Sequence, residues 1–208
     1  KKRLLTLLFF LYLFPISAQL DTKHLFALMV DAVGNYRNVQ QIYLSTNQPT
    51  TLEVTVYNNN TVIGKVKISK GNPSVFDIPR EFIITTNSKK NISDKLFKPT
   101  KLGLYVEGKY AFFANLRFYT YNHAEFITSK GKAGIGTTFY TVMAPISTIN
   151  TLLNFTTSIL ATEDNTTVNI TNFNPELDFS DGISRKEFQF KLNKGESYII
   201  EGKGNPKN

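Results

Sequence analysis

The chain contains no cysteine and only two histidines among its 208 residues. The first absence excludes a disulfide framework, a thiolate metal site and a thiol nucleophile. The second leaves His24 and His123 as the only imidazoles available for general acid–base work. There is no G-x-S-x-G nucleophile elbow, no H-E-x-x-H zinc motif, no EF-hand ligand spacing and no G-x-G-x-x-G phosphate loop. KAGIG (Lys132–Gly136) is glycine-rich but no helix follows it, so it reads as a loop before a strand at Thr137–Met143. Helical periodicity with caps is missing too, Thr148–Leu153 being the one ambiguous stretch. These gaps predict a chain with no cofactor, no resident metal and no catalytic residues.

What is present is strand pattern. TLEVTVY (Thr51–Tyr57), GKVKI (Gly64–Ile68), LGLYV (Leu102–Val106), TVNIT (Thr167–Thr171) and KEFQFKL (Lys186–Leu192) alternate apolar and polar residues. Turn residues separate them: YNNNT, SKGNP, NPELDFSDG and NKGE. A period of two means one buried face and one wet face, so the class is all-β, an antiparallel β-sandwich.

The first eighteen residues stand apart. Lys1, Lys2 and Arg3 precede an apolar run, Leu4–Phe14, and then Ser17 and Ala18 supply small residues. That layout is a secretory signal peptide, 1–18, and its apolar run is too short to favour a membrane span. Removing it lowers the net charge from +8 to +5. The remaining basic residues are dispersed along the chain, which argues against nucleic acid as a partner. The mature chain is expected outside the cell, secreted or at its surface, with no direct membrane span. It begins without Met and ends in loop-type residues, GKGNPKN, so it reads as a fragment of a longer protein.

The chain also resembles itself. Ser45–Val56 (STNQPTTLEVTV) matches Ala161–Asn172 (ATEDNTTVNITN), and KVKISKG (Lys65–Gly71) matches QFKLNKG (Gln189–Gly195). FALMV (Phe26–Val30) resembles FYTVM (Phe139–Met143) upstream of these. A duplication of two sandwich subdomains follows as the expectation, at 19–90 and 91–208. The second would include the aromatic strand 109–121. Along that strand Tyr110, Phe112, Ala114, Leu116 and Phe118 form one face, read as core. Phe113, Asn115, Arg117, Tyr119 and Tyr121 form the other. Rings beside an arginine can stack on a sugar or grip a protein, which makes Phe113, Arg117, Tyr119 and Tyr121 the candidate ligand-binding residues. A central strand covered on both faces would carry the same pattern.

Three other groupings invite chemistry. His123 and Glu125 lie near Arg117 and Tyr121 in sequence and could serve a polysaccharide lyase; a surface-loop histidine needs no such role. Asp178 and Asp181 in DFSDG suit a calcium loop or an ordinary turn ending at Gly182. Glu163 and Asp164 in ILATEDNTTVNIT suit an acid–base pair or a hairpin tip. In the other copy Asn47 and Gln48 replace them, so the tip is expected, with both carboxylates exposed.

Several stretches together resemble a known family. They are a GLYV strand (Gly103–Val106), the aromatic strand (Ala111–Tyr121) and G-x-x-F-Y (Gly136–Tyr140). ILATEDNTTVNI and FKLNKGESY (Phe190–Tyr198) complete the set. The set is similar to the N-terminal domain of IgGFc-binding proteins, over roughly residues 24–202, most specifically in ATEDNTTV and LNKG. The resemblance implies a noncatalytic extracellular recognition or adhesion module of a larger exported or cell-surface protein, in the manner of bacterial, Bacteroidetes-like members. Its partner would be an extracellular protein or glycan. A carbohydrate-binding module or polysaccharide-active enzyme of sandwich type is the first alternative, and a spacer in a surface stalk the second.

Overall fold

The computed structural model describes residues 19–28, 30–31, 39–82, 84–85, 95–119, 124–142 and 154–203. The signal-like segment 1–18, Tyr121 and His123 lie outside the described residues. Among the described residues the regular structure is almost all strand: β1 (Asp21–Phe26), β2 (Val30–Asp31), β3 (Val39–Ser45), β4 (Leu52–Asn58), β5 (Thr61–Ile68), β6 (Ser74–Asp77) and β7 (Ile84–Thr85). After these come β8 (Leu104–Tyr119), β9 (Ala124–Thr128), β10 (Asn154–Leu160), β11 (Thr166–Ile170), β12 (Phe188–Leu192) and β13 (Ser197–Lys203). No helix of the described residues is long and apolar enough to cross a membrane.

The architecture turns on β8. Its first half pairs with β4 on one side (Val54↔Gly108 to Asn58↔Leu104) and β1 on the other (Lys23↔Glu107 to Phe26↔Leu104). Its second half pairs with β3 (Ser45↔Phe113 to Val39↔Tyr119) and β9 (Asn115↔Thr128 to Tyr119↔Ala124). With β5 added beside β4 and β6 beside β3, one strand serves two antiparallel sheets. Between them β1 steps from Asp21 to Lys23 while β8 steps from Phe112 to Glu107, so β8 carries extra residues there. Such a bulge bends a strand, and here it lets one strand turn from one sheet into the other.

Both inner faces drain into one core. Leu52, Val54, Val56, Ile68, Leu104 and Val106 come from the first sheet; Ile42, Leu44, Ala114 and Leu116 come from the second. Phe112 sits at the bend with no exposure, and burying a ring of that size contributes about 1.5–3 kcal/mol. A Cβ on Gly64 of β5 would run into the Phe76 ring of β6, so the sheets close on each other at that edge. This is the antiparallel sandwich that the alternation predicts. The β4–β5 turn also follows the sequence: Asn59 and Asn60 both take positive φ, 41° and 66°, as a two-residue hairpin loop demands.

Two expectations need correction, and the pairing of the aromatic strand is a finding beside them. Tyr110 is not core but 43 % exposed, because it lies in the bulge of β8, where the alternation no longer faces the sandwich interior. The aromatic strand is hydrogen-bonded to β1, β3 and β4, and so shares a sheet with the strands of the first subdomain. Thr137–Met143 is not a strand over its described part, 137–142. There Phe139, Tyr140 and Val142 are 66 %, 94 % and 96 % exposed, and no described strand pairs with them.

The remainder of the chain builds a second, smaller unit. β10 pairs with β13 and β11 with β12, both antiparallel. Its core gathers Phe179, Phe188, Leu192, Tyr198 and Ile200, with Phe97 and Phe173 packed against it. The pairing repeats that of the first unit, in which β3 pairs with β6 and β4 with β5. The turns after β5 and β12 repeat as well. Asn72 N–H donates to the Ser69 carbonyl at 2.9 Å and Glu196 N–H to the Asn193 carbonyl at 2.9 Å. Gly71 and Gly195 take φ of 80° and 81° in them, which only glycine adopts without strain.

Candidate recognition surface

The outward face of the second sheet is set by register. Arg117 of β8 stands opposite Gln41 of β3 and Phe126 of β9, while Gln41 stands opposite Asp77 of β6. A row of four side chains, Asp77–Gln41–Arg117–Phe126, therefore crosses four strands. Tyr43 and Tyr119 flank it, two residues along β3 and β8, as the period of two requires.

Hydrogen bonds fix the row. Arg117 Nη1 donates to Tyr43 Oη at 3.1 Å, Tyr43 Oη donates to Gln41 Oε1 at 3.0 Å, and Gln41 Nε2 donates to Asp77 Oδ1 at 2.7 Å. The guanidinium carbon lies 4.9 Å from the Tyr119 ring centre and 5.1 Å from that of Phe126. Held by rings and a hydroxyl, the arginine loses little further side-chain freedom when a partner arrives. Phe126 is 61 % exposed and Val75, next to the row on β6, is 41 % exposed. The result is an outward face that mixes exposed apolar side chains, Phe126 and Val75, with a hydrogen-bonded polar row organised around Arg117.

Of the residues read from sequence, the structure brings Arg117 and Tyr119 together. Phe113 shares their face of β8 but pairs with Ser45, farther along the strand. Tyr43, Gln41 and Phe126 were missed. The alternation of QQIYL around buried Ile42 and Leu44 shows that Gln41 and Tyr43 point outward, but only the strand register joins them to Arg117.

The acid–base grouping is not assembled by its described members. Glu125 pairs with Phe118 and follows the opposite parity to Arg117, so the two side chains project to opposite faces of the sheet. Asp181 is engaged by Arg185, whose Nη1 donates to Oδ1 at 2.9 Å and whose Nη2 forms an ion pair with Oδ2. Among the described residues no group of three or more His, Asp or Glu side chains could hold a metal ion. Glu163 and Asp164 are exposed, as the turn reading requires. The turn is not a hairpin tip, however. β10 and β11 pair with β13 and β12 rather than with each other, so residues 161–165 form a corner between two strand pairs. Asp164 Oδ1 accepts the Lys194 N–H at 3.0 Å and ties that corner to the next turn.

His24 is structural. Its ring is fully buried, 4.8 Å edge-on from Phe112, and Nε2–H donates to the Phe112 carbonyl at 2.7 Å, beside the bulge of β8. Burial pushes its pKa below 6.5, against hydrogen bonding and the nearby Asp21 carboxylate, which act the other way. The unfolded chain therefore takes up a proton before the folded one does. Stability contributed by neutral His24 is complete above about pH 6.5 and is lost as pH falls below it. Titration of unfolding free energy between pH 7.5 and 5 should show that loss, and a His24→Gln variant should flatten it. An unchanged slope in the variant would assign the titration elsewhere.

The family model described as IgGFc binding protein matches residues 124–206, which take in β9 with Phe126 and strands β10 to β13. The match bears out the resemblance carried by ATEDNTTV and LNKG. No curated protein and no solved structure is similar enough to match.

Proposed function

We propose that the chain is a noncatalytic extracellular recognition module, and that it grips a protein partner with the outer face of the second sheet, centred on Arg117. The observation that supports this most is the outward-facing row Asp77–Gln41–Arg117–Phe126, in which a half-buried arginine is held by hydrogen bonds between exposed Asp77 and exposed Phe126. Arginine and aromatic anchors of this kind carry most of the energy of protein interfaces. The family match, which covers the segment that contributes Phe126, supports reading the chain as a binding module. The signal-like residues 1–18 favour export, and adhesion at a bacterial surface is the setting we assign. The repeated strand pairings and the paired glycine turns favour an ancestral duplication, and Phe113 and Tyr119 lie at the margin of the proposed surface.

The test is surface plasmon resonance against purified extracellular proteins that include IgG Fc. At least one should bind, and Arg117→Ala or Phe126→Ala should weaken it at least tenfold, about 1.4 kcal/mol, with the far-ultraviolet spectrum unchanged. Binding that survives both substitutions overturns the assignment, as does the absence of any bound protein, which would leave the spacer reading.

A further inference from the structure

A cleft of about 280 Å³ opens between the outer face of the first sheet and the second unit, away from the Arg117 surface. Leu25 of β1, Leu160 at the end of β10 and Ile135, in the loop after β9, give it apolar walls. Lys132, Lys194 and Glu163 stand around it, all three exposed. The segments that carry them are fixed. The Lys132 N–H is held by Asp21 Oδ2 at 2.7 Å, and the Lys194 carbonyl accepts Asn60 Nδ2–H at 3.3 Å.

Charge decides what such a cleft can hold. Lys23, also in the wall, is paired with Glu107 at 2.6 Å, and the Lys132 ammonium lies 3.9 Å from Asp21. With Glu163 in the lining and Asp164 close behind Lys194, the ammonium groups face a similar number of carboxylates. A net anion or cation would therefore gain little. A neutral ligand that both donates and accepts hydrogen bonds, and has an apolar face, would use everything present. A hexopyranose does this: its hydroxyls donate to Glu163, accept from Lys132 and Lys194, and its C–H face lies on Leu25, Leu160 and Ile135. The volume lies just below the usual range of ligand sites, roughly 300 to 1,000 Å³, and that limits the occupant to one or two sugar rings.

We propose that this cleft binds a neutral hexopyranose unit of a glycan. The site is separate from the Arg117 face, so the module would hold a glycoprotein by its sugar and by its polypeptide at two places. The test is saturation-transfer NMR and calorimetry of the whole chain with the methyl glycosides of glucose, galactose, mannose and N-acetylglucosamine, and with sodium glucuronate.

One or more neutral glycosides should bind at about 1 mM, and Glu163→Ala and Lys194→Ala should each weaken this at least tenfold. Both residues are exposed, and a retained amide spectrum confirms that each variant is folded. Arg117→Ala should leave sugar binding unchanged, which separates this result from the fate of the protein-binding face. No neutral glycoside bound at about 10 mM overturns the proposal. So does binding confined to glucuronate, or affinity equal in both variants.

Discussion

Asp181→Ala should destabilise the second unit by about 3 kcal/mol, because it removes a carboxylate that answers a guanidinium enclosed by rings. Arg185 lies 5.1, 5.2 and 5.7 Å from the ring centres of Phe188, Phe97 and Phe179. Its side chain is only 20 % exposed and that of Asp181 only 17 %. Asp181 also accepts the Ile183 N–H at 3.1 Å, so it shapes the loop that delivers Arg185 to the aromatic cluster. Taking away the arginine together with its partner should hurt less than the carboxylate alone. In Asp181→Ser with Arg185→Met no buried charge is left unpaired, and the rings keep an aliphatic neighbour.

The measurement is urea unfolding of the wild type, Asp181→Ala and the double variant, read at the β12–β13 amides by hydrogen exchange. A loss in Asp181→Ala below about 1 kcal/mol would reduce the pair to an ordinary surface ion pair. The pair also predicts acid sensitivity. The Arg185 hydrogen bond holds the Asp181 carboxyl below its usual 3.8, so its contribution is present above that pH and fades as pH falls through the lowered value.

The sequence shows the strands plainly and their partners hardly at all. TLEVTVY and KEFQFKL announce β4 and β12 because alternation is a local property of a half-buried strand. Asn59 and Asn60 announce the hairpin between β4 and β5 because positive φ is local too. The bulge in β8 is different. Tyr110–Phe113 is an unbroken apolar run with no turn residue in it, and only the step from Lys23 to Asp21 on β1 reveals that the strand bends there and throws Tyr110 outward.

The same limit applies to the candidate site. Arg117 and Tyr119 are adjacent outward positions on one strand and could be read together. Phe126, Tyr43 and Gln41 meet them only through strand pairings that no single segment encodes. The polar FSDGISR run hides its meaning for another reason. Its carboxylate looks like a ligand until the arginine four residues later is seen to consume it.

Gly103→Ala should loosen the two units from each other without unfolding either core. A Cβ there would stand 2.5 Å from the Gly195 carbonyl oxygen and would strike the Leu160 side chain. The first obstacle is backbone, and it cannot rotate away as a side chain can. Gly195 cannot retreat either, since its own Cα already faces Asn59 across the junction, where even a methyl group would meet Asn59 Cα at 3.1 Å.

Overpacking at a site with two fixed walls costs about 1–3 kcal/mol, and the junction is where it can be relieved. Relief would strain the reciprocal hydrogen bonds between Thr100 and Ser197, each 2.9 Å, and the Phe97 N–H bond to the Ile199 carbonyl at 2.9 Å. Hydrogen exchange should therefore speed up tenfold or more at Thr100, Ser197 and Phe97, while Val54, Leu104 and Leu116 in the first core keep their protection. Equal protection at both sets of amides would mean that the close approach of Gly103 to Gly195 does not couple the units. A uniform loss would mean that the two units unfold as one. The differential loss is expected because the clash falls at the junction around Gly103 and Gly195, whereas Val54, Leu104 and Leu116 lie in the continuous core built around β8.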